Sequence, residues 1–187
     1  MTLVLASRSP QRRAILTQLG LDFRIVEPSY DEGSLPVPPH ELAERHSRGK
    51  ALSVEPREGE TVLGVDTVVV VDDLVLGKPA DAEEAARMLA LLAGRSHEVI
   101  SGLTLRDERG ASTSHARTSV RFRPLDGAAI DRYVERGEWR GRAGAYAIQE
   151  SGAALVTGIE GDFFNVVGLP VALLVEMLSA RRRPVSG

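Results

Sequence analysis

The sequence predicts a mixed α/β fold: one sheet with strands of both directions and helices flanking it. Three observations predict it. Short β-branched runs, led by residues 62–71, alternate with segments of helical periodicity such as residues 82–92. Hairpin signals fall at Asp72-Asp73 and at residues 107–110, so the strands cannot all be parallel. With 187 residues, 43% of them hydrophobic, the chain can bury the core of one domain, or of one domain with two lobes. No internal repeat or linker divides it.

Each element has its own signal. Residues 2–6 are an apolar strand with Val4 and Leu5 inside. Ser9 reads as an N-cap and Pro10 as the first residue of a helix over 10–19, ended by Gly20. Residues 23–26 are a second strand, and 28–39 a turn-rich loop carrying Asp31 and Glu32. Residues 41–54 are helical, and 62–71 form the central strand, which Asp72-Asp73 turns back into 74–76. The helix over 82–92 places Ala85, Met88, Leu89 and Leu92 on one face, with Gly94 beyond its end. Strands at 99–105 and 118–122 flank the polar tip at 107–110. A helix at 128–134, a glycine-rich loop at 137–144, a strand at 153–156 and a final helix at 171–178 complete the chain. Arg181-Arg182-Arg183 reads as a solvated C-terminal tail.

Composition excludes several function classes. A net charge of −3 and a pI near 5.9 leave no broad basic face for nucleic acid, so an anionic ligand needs a local cluster. There is no cysteine, hence no disulfide, thiolate metal site or cysteine nucleophile. His40, His46, His97 and His115 lack zinc-ligand spacing. No phosphate-loop or nucleophile-elbow motif is present. No signal peptide or membrane span is visible, so a cytoplasmic protein with no membrane partner is expected.

Several residues carry chemical potential. The helix opening at Pro10 has Arg12 and Arg13 in its first turn and Arg8 just before it. A helix N-terminus disfavours such cations unless it holds a polyanion, for which free N–H groups and guanidinium forks suit well. A capped surface helix with scattered arginines is the alternative. Asp66 interrupts an apolar strand; buried, it needs a partner or a cation, and turned outward it is an edge-strand residue. Lys78, in Gly77-Lys78-Pro79, is held on an extended loop by the proline. Lys50 lies on a helix, where most lysines face water. Glu32 with Asp31 offers hard oxygens to a cation, or merely loop solubility. Gln149 can read a base edge, or satisfy nearby backbone.

Together these segments resemble the Maf family of nucleoside triphosphate pyrophosphatases. The resemblance runs in order through Leu5-Ala6-Ser7-Arg8-Ser9-Pro10, Gly64-Val65-Asp66-Thr67, Gly77-Lys78-Pro79 and Ala143-Gly144-Ala145-Tyr146-Ala147-Ile148-Gln149. It closes on Gly161-Asp162-Phe163-Phe164-Asn165-Val166-Val167-Gly168-Leu169-Pro170. It implies one inosine triphosphatase-like (Maf-like) domain over residues 1–187, with two lobes around a nucleotide cleft. It also implies cleavage of a nucleoside triphosphate to the monophosphate and pyrophosphate, as in house-cleaning of non-standard nucleotides. The partner is then that substrate, and a homodimer is compatible.

By the same resemblance, Asp66 is the proton acceptor and Ser7, Arg12, Glu32, Lys50, Lys78 and Gln149 line the site; the adjacent Arg13 either assists with the phosphates or braces the loop. A divalent cation, Mg²⁺ or Mn²⁺, is held by Glu32 and Asp66. Three positions bear on the base: Gln11, Thr67 and Gln149. Asp66-Thr67 and Ile148-Gln149 match the branch acting on dTTP and UTP. Gln11 stands where that branch usually has arginine and the 7-methyl-GTP branch tryptophan. A broader or 7-methyl-GTP-directed pyrophosphatase, and a non-catalytic nucleotide-binding regulator of cell division, are the other expectations the resemblance carries.

Overall fold

The computed structural model describes residues 2–33 and 35–182. Strand β1 (Thr2–Ala6) pairs in parallel with both β2 (Phe23–Val26) and β3 (Glu60–Val71), placing Leu3 opposite Phe23 on one side and Thr61 on the other. Helix α1 (Pro10–Gln18) joins β1 to β2. Extended Ser9 accepts from the Arg12 N–H and Pro10 takes the first helical position. Helix α2 (Pro39–Leu52) leads into β3; Pro38 and Pro39 suit a helix start, where missing N–H groups cost nothing.

β4 (Leu74–Leu76) folds back antiparallel on β3. Asp72 and Asp73 make that turn with φ of 46° and 64°, the left-handed pair a two-residue hairpin requires and aspartate tolerates. In α3 (Ala82–Leu92), Asp81 caps the Glu84 N–H, and the buried residues are Ala85, Met88, Leu89 and Leu92, the expected face. β5 (Ser96–Asp107) and β6 (Gly110–Phe122) form a long hairpin, and α4 (Gly127–Glu135) follows. β6 starts eight residues before the expected 118 because residues 110–117 are mostly polar and only partly buried, which hides a strand from hydropathy.

The strand expected at 153–156 is corrected. Residues Ser151–Leu155 form a 3₁₀ turn, and β7 (Val156–Glu160) begins where that strand was to end. Gly152 decides this: a Cβ there would lie 2.4 Å from the Ala147 carbonyl oxygen, so the chain folds tightly rather than extending. The short α5 (Phe163–Val167) had no separate signal, and α6 (Val171–Arg182) outlasts its expected end.

The seven-stranded sheet runs β2-β1-β3-β5-β6-β7, with β4 on β3. It is mixed, as expected: parallel around β1, antiparallel where β4 joins β3 and β7 joins β6. The chain divides into two compact units. The first runs through Asp66 and adds Ser101–Ala116 and the chain from Gly168; the second holds Thr67–Ile100 and Arg117–Val167. The first unit buries Val4, Ala6, Ala51, Val54 and Val62 together. The second unit's core includes Val69, Leu89, Leu92, Phe122, Trp139 and Tyr146.

Arg181 is not solvated. It pairs with Asp107 at 2.5 Å and donates to the Leu105 and Gly110 carbonyls, fastening α6 to the β5–β6 tip. The Arg182 side chain and Arg183 lie outside the described residues. Among the described residues, no helix is long and apolar enough to cross a membrane.

Candidate active site

In the first unit, α2 lies against the sheet almost backbone to backbone. A Cβ on Gly64 would stand 2.2 Å from the Ser47 carbonyl oxygen, and one on Gly102 2.2 Å from that of Ala43. Side chains at Gly64 and Asp66 share one face of β3, and Lys50 lies one helical turn beyond Ser47. The close approach therefore delivers Lys50 onto Asp66. The Lys50 ammonium donates to Asp66 Oδ1 at 2.6 Å and pairs with Glu32 Oε1 at 2.7 Å. Lys50 and Asp66 are only 5% and 6% exposed, so each needs the other. Glu32 reaches in from the loop before α2 and stays half-exposed.

Arg12 turns inward from the first turn of α1. Its Nε donates to the Gly168 carbonyl at 2.9 Å and one Nη to Ser7 Oγ at 3.2 Å. Burial lowers the guanidinium pKa from its ordinary value, and the fields of Asp66 and Glu32 oppose that shift. Arginine starts so high that it stays charged. Ser7 Oγ also accepts from the Ser9 N–H at 3.1 Å. Two cations and two carboxylates thus gather beside a capped helix N-terminus that has no acidic residue in its first turn.

In the second unit, the Gly144 N–H donates to the Gly77 carbonyl at 3.1 Å, tying the loop of Lys78 to the segment that leads to Gln149. Pro79 is buried and Lys78 exposed. The Gln149 turn is pinned on both sides. The Ala147 N–H donates to Tyr133 Oη at 2.9 Å, and Glu138 accepts from the Ser151 N–H and hydroxyl at 3.0 and 2.7 Å. Ile148 is buried and Gln149 projects to solvent from this rigid turn. Beneath it, Tyr146 Oη meets His97 Nε2 at 2.8 Å; burial holds His97 down at about 4, hence neutral, and pushes both Tyr133 and Tyr146 up.

A family model described as Maf-like protein matches residues 2–181. The chain belongs to the Maf family. Among curated relatives, a dTTP/UTP pyrophosphatase of Symbiobacterium thermophilum is 47% identical, covering 98% of this chain and 95% of the relative. A dTTP/UTP pyrophosphatase of Pelotomaculum thermopropionicum is 48% identical over 94% of each chain. Among solved structures, a HAM1 protein from Coxiella burnetii aligns with a TM-score of 0.53 over 96% of this chain and 99% of that one. At 18% identity that likeness shows the fold alone.

The structure of this Maf protein brings Ser7, Arg12, Glu32, Lys50 and Asp66 together in the first unit, and the Lys78 loop and the Gln149 segment together in the second. Thr67 follows Asp66 on β3 and is partly buried. Arg13 is not drawn in: its side chain is exposed on α1. Arg8 pairs with Glu27 at the surface. Gln11 accepts from the Ser9 hydroxyl at 3.1 Å, next to the cap. Sequence reasoning missed the Gly168 carbonyl that orients Arg12, and Gly64 and Gly102, which set the approach of α2. For the two strand glycines a signal existed, since glycine inside a strand marks a bulge or a close backbone neighbour.

Proposed function

We propose that this Maf protein, acting as one domain, hydrolyses dTTP and UTP to the nucleoside monophosphate and pyrophosphate. The single observation that carries the reading is the buried Lys50 ammonium shared by Asp66 and Glu32, with Arg12 beside them at a helix start. A buried carboxylate among fixed cations suits a reaction in which water and a polyanion meet.

The chemistry follows from these residues. Arg12, Lys50, Lys78 and the α1 N-terminus take up phosphate charge. Ser7 Oγ already accepts two hydrogen bonds, so its own proton is left to donate to a phosphate oxygen. Asp66 accepts a proton from water as the water oxygen bonds to the α phosphorus. The bond from that phosphorus to the bridging α–β oxygen breaks, and pyrophosphate leaves with the electron pair. A positioned base of this kind contributes about 10²–10⁴-fold.

A divalent cation fits the donor set. Asp66 and Glu32 both hold carboxylate oxygens within 2.7 Å of one cationic centre, so hard oxygens converge as Mg²⁺ or Mn²⁺ requires. Among the described residues no group of three candidate ligands occurs, so substrate oxygens would complete the shell. When bound, the cation would polarise the phosphoryl group and offset developing charge. For the base, the Gln149 amide offers a donor and an acceptor on one plane, matching the acceptor and donor edge of uracil or thymine. Thr67, small and next to Asp66, leaves room beside it.

The test is pyrophosphate release from a panel of dTTP, UTP, CTP, GTP and 7-methyl-GTP with Mg²⁺ or Mn²⁺. The proposal expects dTTP and UTP to lead in kcat/KM. No pyrophosphate from any of them would reject it.

A further inference from the structure

Glu32 sits on a loop with no regular structure, yet it reaches a buried lysine. Nothing in the Glu32–Lys50 pair explains how the loop is held. The anchor lies two residues upstream. The Tyr30 ring rests on α2 over Gly49, where a Cβ would fall 2.1 Å from the ring edge. No residue but glycine leaves that seat open. The Tyr30 hydroxyl reaches His46 Nδ1 at 3.1 Å, one turn earlier on α2, and the two rings meet edge to face at 5.8 Å. The Tyr30 hydroxyl is also close enough to the site to feel it. Burial raises its pKa, and the fields of Asp66, Glu32 and Asp31 raise it further.

We infer that Tyr30 is a positioning residue, which clamps the acidic loop onto the Gly49–His46 face of α2 and so fixes Glu32 against Lys50. The loop then needs no secondary structure of its own. Gly49 immediately precedes Lys50, so the seat and the ammonium are set by one turn of one helix. Removing the clamp leaves every charged group in the chain but lets Glu32 drift. The inference rests on the proposed pyrophosphatase reading only for its kinetic consequence.

Gly49→Ala tests it cleanly. Alanine favours helix over glycine, so α2 itself is not weakened, while the ring loses its seat. Amide exchange of peptides covering 28–33 should speed up by at least about tenfold in Gly49→Ala and Tyr30→Ala, with the β1–β3 peptides unchanged. Tyr30→Phe keeps the ring and loses only the hydroxyl, so it should fall between them and the native protein. In turnover, both disruptive variants should raise the half-saturating Mg²⁺ concentration at least about fivefold, and Glu32→Gln should do the same. Gly49→Ala combined with Glu32→Gln should be no worse than Glu32→Gln alone, because the clamp acts only through that carboxylate.

Unchanged loop exchange in both disruptive variants would overturn the inference. So would faster exchange with an unaltered Mg²⁺ dependence, or an additive loss in the double variant. If the native protein releases no pyrophosphate, the functional reading fails, and the exchange measurements still decide whether Tyr30 is the anchor.

Discussion

Lys50→Met is the most informative single perturbation. It keeps the aliphatic stem and removes only the ammonium. Asp66, whose side chain is 9% exposed, then sits buried without the ammonium that pairs with it, and only the field of Arg12 remains. Breaking a buried pair by removing one partner costs about 3–5 kcal/mol. The Glu32 contact adds little, because that side chain is 46% exposed and water screens it. At about 3 kcal/mol, and about 2–4 °C per kcal/mol for a chain of this size, the melting temperature should drop by about 6–12 °C. Asp66→Asn should cost less, about 1–2 kcal/mol, since Lys50 keeps Glu32 as partner. In the double variant no unpaired charge is left inside. It should therefore be more stable than the sum of the two losses by at least about 1.5 kcal/mol. Turnover tells the opposite story: all three variants should fall by at least about a hundredfold. Thermal unfolding by circular dichroism and pyrophosphate release provide the two readouts. Stability losses that simply add would refute the buried pair.

Further predictions rest on other parts of the structure. Arg12→Ala should raise the KM for dTTP at least about tenfold, and Arg12→Lys should not rescue it, because two different guanidinium nitrogens make the Gly168 and Ser7 contacts. His97 titrates at about 4 in the fold against 6.5 when exposed, so the unfolded chain binds the proton more readily between those values. Its contribution is thus full above pH ~6.5 and falls by about 3 kcal/mol as pH drops toward 4. His97→Gln should flatten that part of the stability profile, read from urea midpoints at each pH. Gln11→Arg, which restores the residue usual in the dTTP/UTP branch, should widen the kcat/KM ratio of dTTP over CTP by about threefold or more. An unchanged ratio would remove Gln11 from base selection.

Much of the fold was legible because local signals agreed. The serine cap and proline start of α1, the apolar face of α3 and the hairpin aspartates after β3 all point the same way, and the structure follows them. Legibility failed where pairing or packing overrides hydropathy. The first half of β6 is polar, and its strand is made by its partner. Residues 153–156 are a short apolar run that reads as a strand, but the squeeze at Gly152 bends 151–155 into a 3₁₀ turn. The site divides the same way. Asp66 was visible because a carboxylate inside an apolar run is costly unless used. Lys50 was legible only through the family resemblance, since a helix lysine by itself reads as solvated until Gly64 and Gly102 show how close α2 lies. Arg12 and Arg13 look alike in sequence, and only the helix phase buries one and exposes the other. Arg181 looked like a tail residue, and acceptors from distant β5 and β6 claim it.

In the proposed reaction water attacks the α phosphorus at the Asp66 site. Turnover of dTTP with Mg²⁺ in ¹⁸O-labelled water, followed by mass analysis of the products, tests that step directly. The expected result is dTMP and pyrophosphate in equal amounts, the label residing in the dTMP phosphate, and at least about a hundredfold slower formation of labelled dTMP by Asp66→Asn. Label in pyrophosphate, or formation of dTDP and inorganic phosphate, would contradict it.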